Sequence, residues 1–469
     1  MKVKAEFLII GITIGLLPEF LSLNNFLDFN SKVVLGMTLV MIFFWITEAI
    51  PNSITALIPI IISPILIDIN LNQILSKYAS PVVFLLLGGF LLASGFEKSN
   101  LHKRLALKSI ITFGSTKKKL LLCCIFLTSF LSMWLSNTAT CLLMLPIIKF
   151  LVDNSSDQRD DEYFSKILIL SVAYSSSIGG MMTPIGTIPN AILIGFLNEN
   201  YDIQIDFLSW FIFAAPLAIL ILLCLWVYFS IKIKKDNRGI DKALITSRYK
   251  SLGNFSNKEK VSSIILSLTA FLWICKSKIN SILDINLTDS SIAIMCALLF
   301  FVIPTDKNFK VILDMYWFKN IPWNVLILFG GGLAMASLVV STGLAKEISE
   351  FLNIFKNYEV IILILVLTFF TSIITEFTSN TATTFLFLPL FATFAIESNM
   401  NVVQITIPII LAASCAYMMP ISTPPNAIVY STNKFSIKFM VKTGFFLNII
   451  SIFLITIYVN FINSPLFRL

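Results

Sequence analysis

The sequence predicts an all-α polytopic membrane protein built from two inverted repeats. Of its 469 residues, 57% are hydrophobic and only 13% are charged. Apolar runs of about 17 to 25 residues, the length that crosses a bilayer core, recur along the whole chain. In addition, a polar phrase inside one apolar segment returns 243 residues later. A soluble protein of this size would need far more charged surface, so that class is excluded.

Eleven apolar segments are predicted to cross the membrane. They are 7–23, 33–50, 53–69, 82–96, 164–197, 207–230, 261–275, 290–302, 323–340, 405–430 and 439–461. The first follows Lys2 and Lys4, but it lacks a small-residue cleavage site. We therefore expect a retained helix there and not a signal peptide.

Two further apolar segments, 120–152 and 360–391, are too long for one upright crossing. At 1.5 Å per residue each helix would rise about 45 Å or more, against a bilayer core of about 30 Å. They contain the repeated phrases SMWLSNTATCLLMLP (132–146) and TEFTSNTATTFLFLP (375–389). We predict two re-entrant hairpins with Ser-Asn-Thr tips. Non-helical backbone at this depth must be buried in protein or line a wet cavity.

Basic loops predict the orientation. Residues 97–119 carry seven Lys or Arg and residues 231–260 carry nine, whereas residues 199–206 carry none. The positive-inside rule places the first two loops in the cytoplasm, which requires that residues 120–152 re-enter without crossing. The N-terminus is then cytoplasmic and the C-terminus outside, in the inner (cytoplasmic) membrane. This topology accounts for the net charge of +8, and no nucleic acid partner is expected.

The repeat extends well beyond one motif. Further residues match at the offset of 243, and the phrase TPIGTIPNAI (183–192) returns as MPISTPPNAI (419–428) at an offset of 236. Five crossings separate equivalent points, so the halves are inverted, an arrangement typical of secondary transporters. The predicted organisation is an N-terminal extra helix (1–30), a first repeat (31–230, hairpin 120–152), a cytoplasmic linker (231–260) and a second repeat (261–469, hairpin 360–391).

The repeated phrases offer ligands for both an anion and a cation. Helix N-termini suit an anion, whereas freed carbonyls and hydroxyls suit a small hard cation such as sodium. The carboxamides of Asn137 and Asn380 both donate and accept. The phrases contain no Lys, Arg or His, so bound cations must supply the countercharge for a dianion. An isolated Ser-Asn-Thr would indicate helix packing, but its duplication beside duplicated prolines favours a binding site.

Other functional classes fit poorly. The only histidine, His102, is expected to be a solvated residue in a polar connection, and the seven cysteines are interpreted as small hydrophobic residues. An intramembrane enzyme would need an activated nucleophile or a metal, so we predict neither an enzyme nor catalytic residues. A passive channel does not need inverted halves with broken helices. Of the acids near the phrases, Glu48 is expected to be structural and Glu376 to brace the second hairpin.

The sequence resembles the divalent anion:sodium symporters over nearly its whole length. The two SNT motifs, the phrase TPPNAI and the phrase WITEAIPNSITALIP (45–59) carry the resemblance. It implies an elevator-type homodimer with about eleven transmembrane helices and two hairpins. The implied function is sodium-coupled symport of a di- or tricarboxylate such as succinate, malate or fumarate. The alternatives are a sodium-independent dicarboxylate exchanger, which would not need two cation cages, and a sodium:sulfate symporter.

The resemblance also implies the residues of the site, with two Na⁺ ions. The first sodium site would use Ser132, Ser136, Asn137 and the backbone at Gly186, and the second Thr375, Ser379, Asn380 and the backbone at Ser422. Substrate carboxylates would meet Ser136, Asn137, Thr138, Thr187, Ser379, Asn380, Thr381, Thr423 and Pro424. Ile188 departs from the family pattern, because a first proline often stands there. We therefore expect a less sharply broken loop in the first half.

Overall fold

The computed structural model describes residues 5–20, 27–67, 69–114, 116–153, 162–231, 233, 242–351 and 358–462. Parts of the predicted N-terminal segment and of the predicted linker lie outside these residues, as do both chain ends. Throughout the described part the regular structure is helical, with no strands. The prediction of an all-α fold is thereby confirmed.

The helices of the first half and the following connection begin and end at these residues. They are α1 Ala5–Phe20, α2 Phe29–Thr47, α3 Asn52–Thr55, α4 Ile58–Ile62, α5 Leu71–Tyr78, α6 Pro81–Lys98, α7 Leu101–Phe113, α8 Lys117–Ser132, α9 Asn137–Asp153, α10 Glu162–Gly180, α11 Ile188–Tyr201, α12 Phe207–Ser230 and α13 Lys242–Lys250. A π-helical turn, Ser63–Ile67, continues α4.

The second half follows the same plan. Its helices are α14 Asn257–Leu283, α15 Asp289–Val302, α16 Trp323–Ser341, α17 Leu344–Phe351, α18 Val360–Ile374, α19 Asn380–Glu397, α20 Val402–Ala413, α21 Pro424–Tyr430 and α22 Ile437–Phe461, with a 3₁₀ turn at Trp317–Asn320. Each of the predicted spans coincides with one of these helices or with an interrupted pair. Six of the described helical stretches are long and apolar enough to cross a bilayer on their own.

Four of the breaks inside apolar segments fall on the four repeated phrases. The segment 120–152 divides into α8 and α9 at residues 133–136, and the segment 360–391 divides into α18 and α19 at residues 375–379. The other two breaks, at residues 181–187 and 414–423, separate α10 from α11 and α20 from α21. We call the first pair of breaks the tips and the second pair the bends. The polar phrases therefore mark the places where helical hydrogen bonding stops.

Helix packing repeats between the halves. In the first half α10 packs on α8 and α9, and in the second half α20 packs on α18 and α19. Further contacts join α6 to α15 and α16 to α2, α3 and α5, and α16 also packs on α11 and α19. Glycines permit the closest approaches, since a Cβ on Gly331 would collide with the Ala56 backbone and one on Gly332 with the Phe385 ring. These two glycines therefore allow close helix contact that no larger residue would permit.

Helix α7 corrects the expectation for His102. That side chain is buried, at 2% exposure, and packs edge-on against Phe96 with ring centroids 5.9 Å apart. Burial, together with the neighbouring Lys103, lowers the pKa of His102 to about 4, so the ring stays neutral at physiological pH. The local sequence is polar, but α7 is amphipathic and turns this face toward α6. A charged neighbour in sequence is therefore no sign of exposure.

A buried ion pair holds α7 against the start of α14. The Arg104 guanidinium donates to both carboxylate oxygens of Glu259, at 2.6 and 3.2 Å, and to the carbonyls of residues 252–254 at 3.1 to 3.3 Å. Both side chains are under 9% exposed. Each of the three guanidinium nitrogens has an acceptor, so the buried charge of Arg104 is paired with that of Glu259. The clamp fixes α7 and the connection before α14 as one unit.

Candidate binding site at the helix breaks

The first tip is organised by the Asn137 carboxamide. Helix α8 ends at Ser132, α9 begins at Asn137, and the Ser136 hydroxyl caps α9 by accepting from Ala139 N at 3.2 Å. The neighbours of Asn137 are acceptors, which assigns its amide nitrogen as the inward atom. That nitrogen then donates to Ser132 Oγ at 2.8 Å, Ser176 O at 2.9 Å and Gly186 O at 3.3 Å. Three of the residues predicted for the first sodium site therefore meet here.

The first bend brings carbonyl oxygens to the same place. A Cβ on Gly186 would lie 2.5 Å from Gly180 O and 3.0 Å from Ser132 O, so only glycine fits. The Thr183 hydroxyl ties the bend to the tip, because it donates to Met133 O at 2.7 Å and accepts from Gly186 N at 3.0 Å. The result is a buried group of oxygens, the ligand type that a hard cation prefers.

The second tip repeats this arrangement. Thr375, which is fully buried, stands where the first half has Ser132, and its hydroxyl lies 2.8 Å from both Asn380 Oδ1 and Ala413 O. The Ser379 hydroxyl caps α19 by accepting from Ala382 N at 3.1 Å, as Ser136 caps α9. The offset of 243 in sequence thus also relates the same pairs of residues and the same helix caps, although Asn137 donates to Ser132 Oγ whereas Asn380 Oδ1 accepts from Thr375 Oγ1.

Two asparagines that the sequence reading did not single out hold the bends open. The Asn190 amide donates to Gly180 O at 3.3 Å and Thr183 O at 2.8 Å. The Asn426 amide donates to Ala416 O at 3.0 Å and Met419 O at 3.1 Å. Donors and acceptors alike are related by the offset of 236. These side chains replace hydrogen bonds that the broken helices cannot make, and the repeated Asn-Ala-Ile in both phrases was the available signal.

One acidic side chain makes the halves unequal. Glu376, which is fully buried, accepts from the backbone N–H groups of residues 417, 418 and 419 at 2.7, 2.8 and 3.0 Å. It also accepts from the Asn448 amide at 2.8 Å. The expectation that Glu376 acts as a brace is confirmed by these four bonds. A carboxylate saturated with donors tolerates burial far better than a bare one.

The first half has Met133 in the equivalent position and keeps more helix. There the N–H groups of Met181 and Met182 donate to Ile178 O and Gly179 O at 3.2 and 3.1 Å, as in a helical turn. The first bend, at residues 181–187, is accordingly shorter than the second, at residues 414–423. This agrees with the less sharply broken loop expected from Ile188.

The two halves meet at the breaks. Helix α9 packs on α21, and α19 packs on α11, so each hairpin contacts the helix that follows the bend of the other half. The Cys141 thiol, one turn after Asn137, lies 3.7 Å from Pro425 O. The first tip and the second bend are therefore neighbours. Helices α9, α11 and α19 all begin at this centre, and their free N–H groups and positive dipole ends favour an anion.

Comparison with known proteins places the chain in a family. The profile described as sodium:sulfate symporter transmembrane region matches residues 2–469. The chain belongs to this family. Two curated relatives are sodium-dependent dicarboxylate transporters called SdcS. That of Staphylococcus saprophyticus is 36% identical over 97% of this chain and 92% of the relative, and that of Staphylococcus aureus strain USA300 is 37% identical over 97% and 91%.

A solved structure supports the fold alone. The YdaH transporter of Alcanivorax borkumensis aligns with a TM-score of 0.57 and 12% identity, over 84% of this chain and 88% of that one. The resemblance to the divalent anion:sodium symporters, based on the SNT motifs and on residues 45–59, is confirmed at the level of the family.

The structure distributes the remaining predicted residues of this symporter around the centre. Thr138 and Thr381 lie in the first turns of α9 and α19, and Thr187 and Thr423 immediately precede α11 and α21. Thr187, Thr381 and Thr423 are buried, whereas Ser136, Ser379 and Pro424 are exposed. Two hydroxyls have further partners, since Thr423 Oγ1 accepts from Asn426 N at 3.3 Å and Ser422 Oγ donates to Met419 O at 2.7 Å. Their roles toward cargo stay predictions.

Proposed function

We propose that this protein is a sodium-coupled symporter of a C4 dicarboxylate such as succinate, malate or fumarate, and that it works by an elevator-type alternating-access mechanism. The observation that carries the proposal is the pair of tips and bends, which gather equivalent buried oxygens at one centre. The names of the SdcS relatives support the choice of cargo. Residues 31–230 and 261–469 would be the two inverted repeats.

Two sodium ions would travel as cargo beside the anion. The first would take Ser132, Ser136, the Gly186 carbonyl and Asn137, whose amide would turn to present Oδ1 to the ion. The second would take Thr375, Ser379, Asn380 and the Ser422 backbone. The polar phrases have no basic residue, so a dianion entering without these ions would lose its hydration with no countercharge. Each net positive charge moved inward across 100 mV gains about 2.3 kcal/mol. If more sodium charges than substrate charges move inward together, this energy drives accumulation of the substrate inside the cell.

The anion would be held at two points, one in each half. The N-termini of α9 and α19, with Thr138 and Thr381, face it from the tips, and Thr187 and Thr423 face it from the bends. Two separated sets of donors suit a molecule with a carboxylate at each end better than the single compact charge of sulfate. A sodium-independent exchanger would not need an oxygen cluster in both halves, so symport is the better reading.

The surrounding assembly follows the same proposal. The protein would be a homodimer in the inner (cytoplasmic) membrane, with its N-terminus in the cytoplasm and its C-terminus outside. The basic stretch 97–119 supports this orientation, because cytoplasmic loops carry an excess of Lys and Arg.

Uptake of radiolabelled succinate into proteoliposomes tests the function. We expect uptake with an inward sodium gradient and none with an equal potassium gradient. Unlabelled malate should compete strongly, and citrate and sulfate weakly. Uptake that is equal in sodium and potassium but requires dicarboxylate inside the vesicles would identify the exchanger. Stronger competition by sulfate than by malate would identify the sulfate symporter.

Two substitutions test the site. Asn137→Ala and Asn380→Ala should each abolish uptake, because both remove a carboxamide shared by the cation cluster and the anion-binding helix terminus. Asn72→Ala, at an exposed position of α5, is the matched control and should transport normally. Expression level and elution volume check that the variants fold. Normal transport by either tip variant would refute this assignment.

A further inference from the structure

A cavity of about 800 Å³ opens beside the first hairpin and reaches Trp134 of the first tip. Its walls come from α7, α8, α14 and the connection before α14. The residues used below are Lys108, Phe130, Trp134, Phe255, Leu266 and Ala270. Both Phe130 and Phe255 are nearly half exposed, at 48% and 43%, although they line a concave surface. An apolar surface of this kind is stable only if lipid or another apolar group covers it.

Two charged side chains line the cavity, and both are on α7. Lys108 is exposed at the mouth, on the amphipathic helix α7, and it forms no ion pair within the described residues. Arg104 also lines the cavity, but its donors are taken by Glu259 and three carbonyls. The charge of Arg104 is therefore neutralised by Glu259, whereas the ammonium group of Lys108 is available to a ligand in the cavity. The lining from α14 is uncharged, with Leu266 and Ala270 beside two serines.

A second cleft, of about 620 Å³, lies on the other side of Phe130. It is lined by Phe113, Leu122, Phe126 and Leu127 among others, with Lys119 exposed at its edge. The aromatic ring of Phe130 belongs to both cavities and divides them. The two apolar clefts thus lie side by side, each has one exposed lysine, and the Phe130 side chain borders both.

We propose that an anionic diacyl phospholipid binds across Phe130, with one acyl chain in each cleft and its headgroup phosphate between Lys108 and Lys119. Two apolar channels match two chains, and two unneutralised ammonium groups match one phosphate. Both lysines lie in the basic stretch 97–119. A basic segment next to the cytoplasmic surface of a membrane attracts the negatively charged headgroups of anionic lipids. A soluble phosphate compound would leave both apolar clefts uncovered.

The position of the site links lipid to the transport cycle, and this part rests on the proposed function. Trp134 lines the first cavity and precedes Ser136 of the first tip by two residues. Its ring stacks on Trp273 of α14 with centroids 6.2 Å apart. A lipid wedged here contacts the hairpin on one side and α14 on the other. Its occupancy therefore changes the resistance that the hairpin meets when it moves against α14.

Binding is tested on the purified full-length protein in detergent, by titration with short-chain phosphatidylglycerol and phosphatidylcholine and detection by native mass spectrometry. We expect at least tenfold tighter binding of phosphatidylglycerol. Lys108→Gln and Lys119→Gln should each weaken it about fivefold, since a basic residue near a headgroup contributes about 1 kcal/mol. Lys260→Gln, an exposed lysine on α14 outside both clefts, is the control and should change nothing.

A second variant tests the acyl-chain clefts. Ala270→Trp fills the first cavity and should weaken both lipids equally, whereas glycerol phosphate should not compete with phosphatidylglycerol. Equal affinity for the two lipids, an effect of Lys260→Gln as large as that of Lys108→Gln, or full competition by glycerol phosphate would each overturn the site. If Ala270→Trp does not fold, the lysine variants still decide. Sodium-driven uptake that is identical in vesicles of either lipid would overturn only the link to transport.

Discussion

Replacing Glu376 by glutamine should weaken sodium binding far more than substrate recognition. The carboxylate is fully buried at the second tip and accepts four hydrogen bonds. Thr375, a proposed sodium ligand, is its neighbour in sequence. The Glu376→Gln variant removes a negative charge beside the cation cluster and changes little in volume. It also removes one acceptor from the second bend.

The size of the effect follows from the bonds. A glutamine oxygen can keep the three donors now at Oε1, but its NH₂ group then faces the N–H of Met419, which lies 3.0 Å from Oε2. An orphaned buried donor costs about 1–3 kcal/mol, and the remaining bonds lose their charge assistance. A total of about 2–3 kcal/mol corresponds to roughly 30- to 140-fold, because 1.4 kcal/mol is tenfold. We expect at least a tenfold rise in the half-saturating sodium concentration.

The assay is succinate uptake at varied sodium, with the ionic strength held constant by choline. Glu397→Gln is the matched control, because Glu397 is the last residue of α19, the helix that follows the same tip, and is exposed. It should leave the sodium dependence unchanged. If Glu376→Gln also retains the wild-type sodium dependence, the charge of this brace plays no part in cation binding and the reasoning is wrong.

Two further substitutions separate the first sodium site from general stability. Gly186→Ala should lower sodium-22 binding from two ions to one per chain, because its Cβ would lie 2.5 Å from Gly180 O; retention of both ions would contradict the placement of the first site. Arg104→Met should lower the melting temperature in detergent, because Glu259 is left as a buried unpaired charge at a cost of about 3–5 kcal/mol. The exposed Lys103→Met is its control, and equal melting of the two variants would show that the clamp does not stabilise the fold.

Much of the architecture was predictable because residues close in sequence determine where the helices break. Pro184 and Pro424 interrupt apolar runs, and a proline both lacks an N–H and blocks the preceding helical bond. The duplicated phrases then identified equivalent breaks, and the placement of Ser132 with Asn137 and of Thr375 with Asn380 followed from their fixed spacing across each tip. Residues a few positions apart in sequence stay close in the folded chain, so these groups were recognisable from the sequence.

The parts that were not predicted depend on contacts across long stretches of chain. Arg104 and Glu259 are 155 residues apart, and no local pattern announces that they pair. The burial of His102 has the same origin, since it depends on which face α7 turns inward. Asn190 and Asn426 were visible as repeated letters, but their role appears only when the carbonyls of each bend are seen to converge on one amide.

The two asparagine amides have a consequence for how cargo is captured. Each holds its bend in shape through protein groups alone, so the loss of helical hydrogen bonding is compensated during folding, before any ion or anion arrives. None of the binding free energy of the ions or the anion is therefore needed to unwind the helices. Bound solutes must still change how the hairpins pack against the neighbouring helices. Because the pocket keeps its shape during that movement, selectivity depends on the pocket and transport depends on the packing around it.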